Sequence, residues 1–133
     1  RDMLSNARRR ELAIHLRDTA SAATGTHKFL YRGRCMNPVL QDEDQLLVKK
    51  VPPEELRFGD IIVYRSKNQY LVHRFLYRNL RADDTVEIIA KADRFLKRDC
   101  PFDCDRLVGK VRSITRGRKK ENPTKQSRLF KHK

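Results

Sequence analysis

The sequence predicts a mainly β domain, and two observations point to it. Short runs of β-branched and aromatic residues recur between residues 28 and 114, with Gly, Pro, Asn or Asp standing between them. The length of 133 residues suits one domain with a single core.

Taken in order, the chain opens with Leu4, Ala7, Leu12, Ala13 and Leu16 at intervals that fit one helical face, and Arg8, Arg9 and Arg10 lie between them. A short amphipathic helix over 4–16 is expected. Residues 19–26, TASAATGT, are small and polar, so they end that helix and form a linker. Strands are expected at 28–31, 45–51, 60–65, 70–77, 85–91 and 107–114, and Ser66, Lys67 and Asn68 fit a hairpin turn between two of them. From residue 116 the tail RGRKKENPTKQSRLFKHK carries only Leu129 and Phe130 as apolar side chains and shows no period. It reads as flexible and basic. The predicted organisation is therefore helix and linker at 1–27, a β body at 28–115 and a tail at 116–133.

Hydrophobic residues make up 38% of the chain and charged residues 36%, enough for a modest core under a heavily charged surface. The net charge is +14 and uneven: residues 116–133 hold eight Lys or Arg against one Glu, hence +7. Half the excess sits in the tail. No apolar stretch approaches the roughly 18 residues that span a bilayer, which points to a cytoplasmic or membrane-peripheral protein. The chain begins with Arg1, which fits a fragment or a processed product. Cys35, Cys100 and Cys104 are too few for a disulfide scaffold and favour a reducing compartment.

Three segments carry candidate chemistry. In 31–40, YRGRCMNPVL, Gly33 permits a tight backbone and Pro38 delays any helix, so the turn can present Cys35 at the surface. A thiol needs a lowered pKa or an adjacent base to act as a nucleophile, and the plain alternative is a small buried hydrophobe. In 70–76, YLVHRFL, His73 points to the face opposite Val72 and Arg74, where it can serve as a general base or as a hydrogen-bonded structural residue. In and just beyond 91–104 lie Asp93, Asp99, Asp103 and Asp105; one of these can steady an imidazole, while most must be solvated loop charges. Cys35, His73, Cys100 and Cys104 are also possible zinc ligands. The Cys100 to Cys104 gap is too wide for the usual pair, so no metal and no cofactor is expected.

In sequence order these segments resemble the signal peptidase I superfamily, which includes the self-cleaving repressors of LexA type. The family pattern runs G-x-S-M-x-P-x-L, a G-D before an apolar strand, G-D-I-V, V-H-R or its Lys equivalent, K-G-D, an Asp, and V-G-K-V. Matching it are Gly33, Cys35, Met36, Pro38 and Leu40, then Glu43-Asp44, Gly59-Asp60-Ile61-Ile62-Val63, Val72-His73-Arg74, Lys91-Ala92-Asp93, Asp99, and Val108-Gly109-Lys110-Val111. The match covers about residues 28–114. It implies a LexA/signal-peptidase-like β-fold and an endopeptidase that cuts leader or signal segments after small residues.

His73 at the base position is similar to the branch with a Ser, His, Asp arrangement, in which the acid lies six residues after the Asp of K-G-D. That spacing selects Asp99 and leaves Asp93 in a supporting role with Gly33, Met36 and Pro38. Cys35 stands where the family has Ser, and Glu43 and Ala92 stand where it has Gly. The resemblance further implies backbone amides at Gly33 to Cys35 that hold an oxyanion, and a substrate bound as an extended strand beside an exposed edge at 28–31. Ala20-Ser21-Ala22 is itself an A-x-A triplet. The competing reading is a weakened or inactive homologue in which the tail and the arginine cluster engage nucleic acid or an anionic membrane. Oligomeric state stays open.

Overall fold

The computed structural model describes residues 13–16, 25–117 and 119–121. Among these, nine strands build one antiparallel system: β1 (Ala13–Leu16), β2 (Thr26–Tyr31), β3 (Gln45–Lys49), β4 (Ile61–Ser66), β5 (Gln69–Leu80), β6 (Val86–Lys91), β7 (Phe102–Asp103), β8 (Leu107–Arg116) and β9 (Lys119–Glu121). Six of them run in the order β1-β2-β3-β8-β4-β5, and β1 closes the ring by pairing Ala13 with Tyr70 of β5. The result is a small barrel. β5 is twelve residues long; its first half pairs with β4 inside the barrel and its second half leaves to pair with β6.

That arrangement creates two apolar layers. Phe29, Tyr31, Leu46, Val48, Ile61, Val63, Val72, Val111 and Ile114 belong to the larger cluster, while Leu56, Ile62, Tyr64, Phe75, Ile88, Ala90 and Phe102 form the second. β4 contributes alternate side chains to each layer, so both its faces are covered. This is why Ile61-Ile62-Val63-Tyr64 reads as an unbroken apolar run where a half-exposed strand would alternate. β2, by contrast, places Phe29 and Tyr31 inward at a spacing of two. Each such side chain stabilises the fold by roughly 1.5–3 kcal/mol through burial.

Most expected strands are present within a few residues, and the hairpin turn falls at Lys67 and Asn68, with Lys67 at φ 57°. Three expectations differ. The helix over 4–16 is replaced at Ala13–Leu16 by β1; residues 4–12 lie outside the described residues. Four residues with Ala13, Ile14 and Leu16 suit either period, and two open strand edges, on β2 and β5, supply ladder partners that a lone helix turn lacks. For the same reason 28–31 is not an exposed edge. β2 is hydrogen-bonded on both sides, by β1 and β3.

The third difference concerns the tail. β8 runs through Arg116, and β9 pairs back onto it through Ile114 and Glu121; residues 122–133 lie outside the described residues. Arg116 is anchored by a fork onto the buried carboxylate of Asp44, from Nε at 2.9 Å and Nη2 at 2.8 Å, and Nη2 also donates to the Val39 carbonyl. Farther out, at the β5–β6 turn, Thr85 donates to Asp83 and holds that carboxyl below its usual range, while Asp103 holds the Arg81 guanidinium above its own. No helix among the described residues is long and apolar enough to cross a membrane.

Candidate active site

The loop between β2 and β3 is built to hold its shape. Gly33 sits at φ 130°, a region that side chains rarely adopt, and its N–H donates to Asp42 at 2.9 Å. Asn37 and Pro38 are joined by a cis peptide bond. The Met36 N–H donates to the Tyr31 hydroxyl at 3.1 Å, and the Leu40 N–H to the Met36 carbonyl at 2.9 Å. Glu43, which stands where the resembled pattern has glycine, adopts φ 71° and so keeps the left-handed conformation a glycine would supply.

A second loop, after β6, locks onto the first. The Arg94 N–H donates to the Cys35 carbonyl at 2.9 Å, and the Asp93 N–H reaches the Met36 sulfur at 3.3 Å. Asp93 in turn receives a two-pronged contact from Arg74, Nε to Oδ1 at 2.8 Å and Nη2 to Oδ2 at 2.5 Å, while Arg74 Nη1 donates to the Gly59 carbonyl. Arg74 thus fastens three of the matched segments together. The supporting residues Gly33, Met36, Pro38 and Asp93 all lie in or against this junction.

Cys35 is not presented at the surface; of the two readings of its turn, the structure shows the small buried hydrophobe. It is 2% exposed and packs in the larger apolar cluster with Met36, Val39 and Leu40. The reason is local: holding Met36 against Tyr31 and Asp93 draws its neighbour inward too. Gly33's amide, one of the expected oxyanion donors, is already engaged by Asp42.

His73 and Asp99 are brought together. His73 lies opposite Ile62 in the β4–β5 ladder, on the side of the second cluster, and its Nδ1 is 2.5 Å from Asp99 Oδ2. Both are nearly fully buried, and Asp99 is placed by its own N–H donating to the Ala90 carbonyl at 2.8 Å. The same Oδ2 accepts the Tyr64 hydroxyl at 2.5 Å, and the Tyr64 ring stacks on Phe102 with centroids 3.9 Å apart. The carboxylate oxygen thus stands within hydrogen-bond reach of both a phenol hydroxyl and an imidazole nitrogen, an arrangement that holds the ring in one orientation. Cys35 is not joined to this group: no hydrogen bond links its sulfur to His73 among the described residues.

Sequence reasoning missed Tyr64, and it quoted Arg74 only as part of the Val72-His73-Arg74 match, without its fork onto Asp93. Tyr64 ends the apolar run of a doubly covered strand, so its hydroxyl had to find a buried partner, and that was the available signal. Among the described residues no group of three or more His, Cys, Asp or Glu is arranged to hold a metal, and Cys35, Cys100 and Cys104 are free thiols.

The three thiols differ in burial, and this gives a direct test of the loop. Iodoacetamide should label exposed Cys100 first, half-buried Cys104 next and Cys35 last in the native protein, by at least about tenfold in rate between first and last. Peptide mapping by mass spectrometry reads the order. Early labelling of Cys35 would mean that the loop opens readily in solution.

No model of a known protein family matches the chain, and no curated protein is significantly similar to it in sequence.

Proposed function

We propose that the chain is a signal-peptidase-like endopeptidase that cuts peptides after small residues, with Cys35 as nucleophile, His73 as base and Asp99 as the acid that orients it. The observation that carries this reading is the 2.5 Å contact between His73 and Asp99. Asp99 is the one acid among several neighbours that the six-residue spacing from Asp93 singles out. Further support comes from the lock between the Cys35 loop and the Asp93 loop, which joins matched segments distant in sequence.

In the reaction, His73 Nε2 takes the thiol proton while Nδ1–H stays on Asp99, and the thiolate attacks the scissile carbonyl carbon. As the tetrahedral intermediate collapses, the imidazolium returns the proton to the leaving amine. Water, deprotonated by the same imidazole, then hydrolyses the thioester and restores the thiol. Because Cys35 packs in the larger cluster and His73 faces the second, the Cys35 loop must move to bring sulfur and imidazole to one side of the β4–β5 wall before the first step.

That requirement favours a second reading, on the observation that Cys35 is buried and shares no hydrogen bond with His73. In it the fold is retained without turnover, and the +14 chain acts as a basic module for nucleic acid or an anionic membrane surface.

The test is a fluorogenic peptide carrying Ala-x-Ala before the cut bond. Hydrolysis after the second Ala is expected, and it should vanish in both Cys35→Ala and His73→Ala. Cleavage surviving both changes sinks the proposal. No cleavage, together with polyanion binding that falls steeply with salt, establishes the second reading.

A further inference from the structure

Behind the His73–Asp99 pair, on the outer side of the barrel wall, the β4–β5 hairpin and the segment 99–106 enclose a cavity of about 380 Å³ that His73 and Asp99 themselves line. A second hollow of about 330 Å³ shares Arg65, Lys67 and Arg106 with it, so the two form one cleft. Its lining is divided by chemistry. Leu71, Pro101 and Phe102 give an apolar wall, and Arg65, Lys67 and Arg106 stand at the rim.

Arg74, Arg81, Lys110 and Arg116 each meet a carboxylate, whereas among the described residues the side chains of Arg65, Lys67 and Arg106, like those of Lys49, Lys50, Lys97 and Arg112, have no hydrogen-bond or ion-pair partner; what sets these three apart is that they stand together around one concavity. Asp105 is the acid that lines the second hollow, and it forms no ion pair with them among the described residues. Three cations against the Asp105 and Asp99 carboxyl groups that share the lining leave the rim net positive, which draws an anion to it. Lys67 also holds φ 57° at the hairpin tip, where Asn or Gly is the usual occupant, so a long cation is kept at a backbone position that disfavours it.

We propose that this cleft binds a small amphipathic anion, its apolar body against Leu71, Pro101 and Phe102 and its carboxylate or phosphate at Arg65, Lys67 and Arg106. The volume suits a ligand of one ring or a short acyl chain. A bound molecule would touch His73 from the side away from Cys35. The site does not depend on peptide hydrolysis and is measured without it.

The experiment follows amide and imidazole NMR signals of the full chain during titration with phenyl phosphate, 3-phenylpropionate, inorganic phosphate and phenol. Phenyl phosphate or phenylpropionate should perturb His73, Leu71 and Phe102, and the stronger of the two identifies the anionic group. Affinity should fall at least about tenfold in the Arg65→Gln, Arg106→Gln double variant and stay unchanged in Arg112→Gln, an exposed cation on β8. Equal weakening by Arg112→Gln would assign the effect to the overall charge and overturn the site. So would phenol binding as tightly as the anions, or inorganic phosphate matching phenyl phosphate.

Discussion

Replacing Gly109 with alanine should destabilise the domain by more than about 3 kcal/mol, lowering its melting temperature by roughly 10 °C or preventing folding. Gly109 lies in β8 opposite Val63 of β4, next to the stretch of β3 where Val48 pairs with Val111 and Lys49 with Lys110. A Cβ placed there would stand 2.4 Å from the Lys49 carbonyl oxygen, 2.8 Å from its carbon and 2.9 Å from a Val48 methyl. The nearest atoms are backbone, held by the ladder, so a rotamer change cannot relieve the clash. Both neighbouring ladders shift register close by, at Leu47/Val48 and at Val63/Tyr64, which is how the strands come so near. Gly117→Ala makes the matching control, because nothing lies within 4 Å of its added Cβ, though its φ of 61° carries a smaller strain. Thermal and urea unfolding read both; a Gly109→Ala protein melting within about 2 °C of the parent would refute the packing described for β8.

The second large effect concerns Asp99. Asp99→Asn should lower kcat for the Ala-x-Ala peptide by on the order of 10³ to 10⁴-fold while leaving the fold in place. The carboxamide is nearly isosteric, and its oxygen can still accept the Tyr64 hydroxyl; what is lost is an anion that both holds the Nδ1 proton and stabilises the imidazolium. Tyr64→Phe removes one hydrogen bond to the same carboxylate oxygen but leaves the carboxylate in place, and should cost only about tenfold to a hundredfold. Steady-state kinetics with circular dichroism as the fold check separates the cases. An Asp99→Asn enzyme turning over at the parental rate would place the His73–Asp99 pair outside catalysis and leave it a structural hydrogen bond.

How far each feature could be read from residues alone varies with the range of the interaction behind it. β4 was legible because Gly59-Asp60 and Ser66-Lys67-Asn68 bracket an apolar run, and the turn residues act within four positions. Asp99 was singled out only by the spacing that the resemblance implies, and its carboxylate lies 2.5 Å from the His73 ring. β7 and β9 were not: two and three residues long, they exist only because β6 and β8 offer free edges. Arg74 and Asp93, 19 positions apart, carry no local sign that they form a fork.

The residues by themselves determined the succession of strands and turns, the charge imbalance and the short list of side chains able to do acid–base chemistry, since period, punctuation and ionisation are properties of neighbours along the chain. The folded arrangement alone decided that Ala13–Leu16 closes a barrel, that β2 has no free edge, that Cys35 faces apolar packing and that Tyr64 completes the His73–Asp99 group. Those outcomes depend on which surfaces meet across dozens of residues, where burial and hydrogen-bond satisfaction outweigh the weak preferences of any one segment.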